Sequence, residues 1–167
     1  MVDLFDMVDK RFVIRVYAIV INDHNQVLLS DEYIFEKYIV KFPGGGLEWG
    51  EGPIDCLRRE ALEEFGQSIE IIGHFYTTDF FQEAIFYKES QLISIYYLAR
   101  FVEPIKFKIS QNPFDFDQPI NGSQSFRWVG INELSSDDLT LPADKQVAQL
   151  LRTSALPQIQ SRLLKAI

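Results

Sequence analysis

A chain of 167 residues, 47% hydrophobic and 14% aromatic, suits one compact domain rather than a disordered segment. Its formal charge of −8 argues against a nucleic-acid polymer or an anionic membrane as partner, but not against phosphates accompanied by a divalent cation. One cysteine, Cys56, excludes an intrachain disulfide, and two histidines far apart, His24 and His74, argue against a structural zinc site.

No apolar run is long enough for a signal peptide or a membrane span, so a cytoplasmic protein is expected. FVIRVYAIVI at 12–21 is β-branched, aromatic and nearly all apolar, which predicts a strand buried on both faces. NDHN is a turn and QVLLS a returning strand, together a predicted hairpin. Asp31 to Glu36 is expected to be a polar-aromatic connection, and Tyr38 to Phe42 a short strand stopped by PGGG. A helix follows, then apolar strands at 69–77, 92–101 and 126–129, with a loop at 110–123. A helical turn near Ile131 to Leu134, a helix from about Ala143 to Arg152 and a further helix after Pro157 complete the expectation. The order strands, helix, strands, helix indicates an α+β domain without repeats or linkers.

The stretch GEGPIDCLRREALEEFG, 50–66, carries five carboxylates: Glu51, Asp55, Glu60, Glu63 and Glu64. Pro53 fits the first helical position, Asp55 the positive end of the helix dipole, and Gly66 the position past the end. At 100° per residue from Glu60, the residues Ile54, Leu57, Ala61 and Phe65 fall at roughly 60° to 140°, a core stripe. Glu60, Glu63 and Glu64 fall at roughly 300° to 40°, one cluster beside that stripe, with Arg59 off the arc at about 260°. A solvated helix face is the plain explanation. Two features favour a site instead: the cluster borders the core, and FPGGGLEWGE precedes it, where glycines let backbone come close to a ligand. Clustered carboxylates beside a carbonyl-rich loop are hard oxygen ligands suited to Mg²⁺ or Mn²⁺.

Gly45, then Glu51, Arg59-Glu60, Glu63-Glu64 and Gly66, at these spacings, resemble the signature of the Nudix hydrolases. All seven fixed positions are filled; Ala61 and Gln67 stand where the family usually has aliphatic residues. The resemblance extends over about 12–151, through FRWVGINEL, and leaves 152–167 as a C-terminal tail of a single domain, 1–167. It implies a mixed β-sheet sandwiched between α-helices, with a loop-helix-loop catalytic motif. The implied reaction is hydrolysis of a nucleoside diphosphate linked to another group, such as a nucleotide sugar or a nucleoside triphosphate, with Mg²⁺ or Mn²⁺. By the matching positions Glu60, Glu63, Glu64 and the Gly45 carbonyl would hold the metal, and Arg59 would pair with Glu51 to brace the loop. Glu60 and Glu51 are the general-base candidates of the motif, with Glu83, Glu89, Asp115 or Asp117 as loop alternatives. Gly44, Gly46 and Trp49 are candidates for substrate contact.

Other residues have plainer explanations. Cys56 is expected to be packed under the loop rather than to act as a nucleophile. Trp49 could stack on a base or pack across the loop. Tyr33, Phe35, Tyr38, Tyr76, Phe80, Phe81 and Tyr87 are expected mostly in packing, with one or two available for stacking. The expected partner is a small-molecule nucleotide; a homodimer is compatible with these features. The alternative to an enzyme is a Nudix-fold sensor that binds a nucleotide without cleaving it, but such sensors often lose the motif's acids, and all are present here.

Overall fold

The computed structural model describes residues 11–87 and 89–153. In chain order they form β1 (Arg11–Val20), β2 (Gln26–Ile34), β3 (Lys37–Lys41), β4 (Gly44–Gly46), α1 (Pro53–Phe65), β5 (Ile69–Thr77), β6 (Ser90–Phe101), β7 (Ser123–Gly130) and α2 (Pro142–Thr153), with a short 3₁₀ helix at Ser136–Asp138. The strands make two sheets. One is mixed, in the order β4-β1-β6-β5, and the other antiparallel, in the order β3-β2-β7.

β1 shows why the layers stack as they do. Successive strand residues point to opposite faces, and residues 16–20 of β1 are apolar at every position, so both faces must be covered. Val16, Ala18 and Val20 pack with Leu57, Ala61 and Phe65 of α1. Tyr17 and Ile19 pack with Ala143, Val147 and Leu151 of α2. The sheets therefore lie between two helices, as the family resemblance implies.

The expected hairpin of β1 and β2 is corrected. The NDHN turn is present, with Asn22 N–H donating to Gln26 O, but beyond the bridge Ile21–Val27 the two strands part into different sheets. β1 takes β6 as a parallel neighbour along its whole length, from Arg11–Ser90 to Val20–Ala99. A parallel partner some 80 residues away leaves no local mark in the sequence. Where β1 and β2 diverge, a cleft opens between the sheets.

Asp31 to Ile34 is not a connection either. β2 continues through it, burying Asp31 and Glu32, and turns at Phe35 and Glu36, which both have positive φ (48° and 60°). PGGG does not merely stop β3, since Gly44–Gly46 pairs with β1 as β4. The turn near Ile131 is hydrogen-bonded to Gly130 O through Glu133 and Leu134 N–H. The helix expected after Pro157 lies outside the described residues. Gln67, at a position expected to be aliphatic, is buried because it holds the segment after β6: its Nε2 donates to Pro104 O (3.0 Å), and Lys106 N–H donates to its Oε1 (2.6 Å).

α2 begins over a buried acid. Tyr96 Oη donates to Asp144 Oδ1 at 2.6 Å, while Asp144 Oδ2 has no hydrogen-bond partner. Burial pushes the Asp144 carboxyl up to about 7, against the opposing pull of Tyr96 and of the cations Lys41 and Arg15. An acid raised in the folded state favours the fold most below its unfolded value of about 4 and loses that contribution as pH climbs through its folded value. Asp144→Asn abolishes this ionisation. The melting temperature of the variant should therefore gain on that of the wild type from roughly pH 5 to pH 8. A difference that stays constant over this range would show that Asp144 does not titrate there.

Candidate active site

The loop between β3 and α1 is built on close backbone approaches. A Cβ on Gly44 (φ 129°) would stand 2.2 Å from Val16 O, and one on Gly45 would stand 2.0 Å from Glu60 Oε1. Glycine at these two positions lets β4 lie against β1 and against the Glu60 carboxylate. α1 starts at Pro53, with Gly52 O accepting from Cys56 N–H, and ends at Gly66, whose N–H donates to Leu62 O.

Arg59 joins this loop to the helix. Its Nε and Nη2 donate to Glu51 Oε2 and Oε1 at 3.1 and 2.7 Å, a two-point fork. Nη2 also donates to Gly46 O (2.9 Å), and Nη1 to Glu60 Oε1 (3.0 Å) and Glu63 Oε2 (3.2 Å). The helical projection places Arg59 off the acidic arc; its long side chain reaches back over it. The Arg59 hydrogen bonds hold the Glu51 carboxyl down to about 2, helped by the backbone near Glu48.

Glu64 faces a different set of partners. Gly44 N–H donates to Glu64 Oε2 (3.1 Å), Gln124 Nε2 donates to Oε1 (2.9 Å), and Lys41 Nζ lies 3.6 Å from Oε1. Lys41 Nζ also meets Glu32 Oε1 at 2.7 Å and donates to Gly44 O at 2.8 Å. Ser30 Oγ and Gln124 Nε2 both donate to the same Glu32 oxygen. Burial opposes ionisation of Glu32, yet Lys41 and Ser30 outweigh it and hold the carboxyl low. Burial likewise opposes the charge on Lys41, and Glu32 and Glu64 together raise it, so Lys41 stays cationic. Glu64 is the exception: burial pushes its carboxyl up despite Lys41.

The three acids thus share a helix face but not a common focus. Glu60 and Glu63 turn onto Arg59 and Glu64 onto the Lys41 side. Among the described residues no three acidic, histidine or cysteine side chains converge on one point. Glu60, Glu64 and Gly44 to Gly46 line the polar part of the cleft, while Glu63 is largely exposed. The donor chemistry nevertheless fits a hard divalent ion. It is all oxygen, and the Gly45 backbone abuts Glu60.

Of the other candidates, Trp49 is fully exposed and packs across nothing. Cys56 is buried; its Sγ lies 3.4 Å from Gly46 O, and burial beside Glu51 pushes the thiol up to about 12, which suits packing and not nucleophilic attack. Glu83, Glu89, Asp115 and Asp117 line neither the polar part of the cleft nor its apolar extension. That extension is walled by Val13, Ile34, Ile39, Phe35, Phe86 and Tyr87, with the Phe35 and Phe86 rings 5.0 Å apart. Sequence reasoning missed Arg15, Glu32, Lys41 and Gln124. The available signal was a lysine between Val40 and Phe42, inside the largely apolar run 38–42.

The family model of the NUDIX domain matches residues 11–151. The chain belongs to the Nudix family. Among solved structures it is similar to the Escherichia coli ORF135 protein (TM-score 0.62, 19% identity, 89% of this chain and 96% of that one). It is also similar to a MutT Nudix hydrolase from Burkholderia pseudomallei (0.60, 19%, 87% and 100%) and to the DNA mismatch repair protein MutT of methicillin-resistant Staphylococcus aureus (0.55, 25%, 87% and 99%). No curated protein matches the sequence significantly. Members of this family are hydrolases that generally use divalent metal ions, and among the described residues no helix is long and apolar enough to cross a membrane.

The Arg59–Glu51 fork generates a test of the Nudix loop. Arg59→Lys keeps the charge but loses the planar fork. Arg59→Lys and Glu51→Gln should each lower kcat by about 10- to 100-fold, the range of a charged hydrogen bond. The double variant should lose far less than the product of the two, because both act through one contact. Fully multiplicative losses, or a large rise in KM for Arg59→Lys alone, would place Arg59 on the substrate instead.

Proposed function

We propose that this chain is a divalent-metal-dependent pyrophosphohydrolase of nucleoside diphosphate derivatives, nucleotide sugars or nucleoside triphosphates. The observation that carries this reading is that the polar and apolar parts of the cleft adjoin. Its polar part, at the Nudix loop and the α1 acids, and its apolar part, at Phe35 and Phe86, share Arg15, Glu32, Ile34 and Lys41. A molecule with a planar apolar end and a phosphorylated end matches that gradient.

In this reading Glu60, Glu63, Glu64 and the Gly45 carbonyl would hold Mg²⁺ or Mn²⁺, which would supply positive charge for the pyrophosphate and lower the cost of deprotonating a water. The chain's own residues do the rest. Arg59 locks Glu51 and the Gly46 carbonyl, so the loop and the helix present their oxygens in fixed register. Glu51, held at about 2, is a poor proton acceptor near neutrality, so bracing suits it better than base catalysis. Glu60 lines the cleft and is the acceptor of choice within the motif. Lys41 and Gln124 keep Glu64 turned toward the loop. A non-cleaving sensor would need the apolar end of the cleft but not the full set of acids.

A panel of nucleotide sugars, nucleoside triphosphates and dinucleoside polyphosphates, assayed with Mg²⁺ and with excess chelator, tests this. At least one substrate should be cleaved with Mg²⁺ and none with chelator. Glu60→Gln and Glu64→Gln should each lower kcat by ~10²-fold or more, the usual cost of losing one transition-state electrostatic contact. Near-normal turnover in both variants, or hydrolysis that persists in chelator, would refute the assignment.

A further inference from the structure

Among the described residues, Arg15 and Lys41 line the cleft and Arg59 borders it through Glu60, and two of these three cations are spent on the protein itself. Arg59 is committed to Glu51, Glu60, Glu63 and Gly46 O. Lys41 is committed to Glu32, Glu64 and Gly44 O. Arg15, midway along β1, differs. Its Nε donates to Tyr17 Oη at 2.9 Å, and among the described residues its two Nη amino groups have neither a hydrogen bond nor an ion pair. Glu32 and Glu60 act on it electrostatically across the cleft without touching it.

Its seat is rigid. Tyr17 is fully buried and stacked on Tyr96, with ring centroids 5.2 Å apart, and the Arg15 guanidinium lies 5.7 Å from the Tyr17 ring centre. Tyr17 therefore fixes Nε and leaves the far side of the fork unspent. Arg15 is half-buried and lines both parts of the cleft. An arginine kept for charge balance would be expected to pair with Glu32, but Arg15 makes no hydrogen bond or ion pair with it, and Lys41, Ser30 and Gln124 all meet that carboxylate at Oε1. A pre-oriented guanidinium with free Nη groups matches the paired oxygens of a phosphate.

The geometry points to Arg15 as the residue that holds the phosphate attached to the nucleoside, between the base in the apolar end and the pyrophosphate at the α1 acids. This rests on the nucleotide-hydrolase reading above. It adds a binding residue from outside the Nudix signature, and it sets the direction in which the substrate lies.

The test uses the full chain in excess chelator, so that metal plays no part. Affinities for the 5′-monophosphates AMP, GMP, CMP and UMP, and for the parent nucleosides, are measured by NMR chemical-shift titration on the wild type, Arg15→Gln and Arg15→Lys. For the best-bound base, wild type should prefer the monophosphate over its nucleoside by ~10- to 100-fold, the range of a hydrogen-bonded charged group. Arg15→Gln should erase most of that ratio and leave nucleoside affinity unchanged, which also shows that the fold is intact. Arg15→Lys, with charge but no fork, should restore part of it. In turnover with Mg²⁺, KM should rise in Arg15→Gln far more than kcat falls. An unchanged monophosphate-to-nucleoside ratio in Arg15→Gln, or no preference for the monophosphate in wild type, would overturn the inference. Loss of every turnover in wild type with the ratio intact would instead refute the hydrolase reading and leave Arg15 as a phosphate-binding residue.

Discussion

The loop-helix unit depends on one guanidinium. Arg59 ties together a loop carboxylate, a loop carbonyl and two helix carboxylates, at 2.7 to 3.2 Å. Without it, Glu60 and Glu63 would repel one another and Glu51, and the glycine loop would be left tied to α1 by weaker contacts such as Gly44 N–H to Glu64 and Cys56 Sγ to Gly46 O. Acids that crowd one helical arc destabilise the helix unless a cation offsets them. Here the chain supplies that cation from the neighbouring position. The acid-rich motif can therefore fold in a chain that already carries a net charge of −8.

The second constraint is the parting of β1 from β2. A hairpin kept in one sheet would have closed the space in which Arg15, Glu32 and Lys41 meet. Placing charges there is expensive, because burial penalises each ion and mutual attraction repays it only with good geometry and full hydrogen bonding. The Lys41 network meets that condition: its ammonium contacts Glu32, Glu64 and a backbone carbonyl, and Ser30 and Gln124 complete the Glu32 oxygen. Such a fully partnered cluster favours one arrangement of the site over others.

The motif was legible in the sequence because it is local. Gly45 to Gly66 span one loop and one helix, and helical periodicity alone places Glu60, Glu63 and Glu64 together on one arc. The strands of β1, β5 and β6 were legible from their apolar runs, and α2 from its position after Leu141. Pairing was not, since β1 finds β6 across nearly half of the chain. Lys41 and Glu32 escaped notice because a charge inside a strand gains meaning only from the partner on the next strand. Helical projection also misjudged Arg59, because it tracks where a Cα points and not how far a six-bond side chain can reach.

These two kinds of legibility divide the enzyme into a shared half and a private half. The reactive end is drawn from one continuous stretch of 22 residues, Gly45 to Gly66, so it is what a family signature can capture. The apolar end gathers Val13 from β1, Ile34 and Phe35 from β2 and its turn, Ile39 from β3, Phe86 from the β5–β6 connection and Leu141 from the approach to α2. Apart from Ile34, Phe35 and Ile39, no short spacing links them, so no local motif gathers them. The fold and the loop therefore speak to the reaction class, while the residues of the apolar end lie outside the motif that identifies the family. Arg15 stands on the boundary. It is seated through Nε on the buried Tyr17–Tyr96 stack, a feature of the core, yet it lines the cleft from outside the motif, which is why neither the motif nor the strand pattern reveals it.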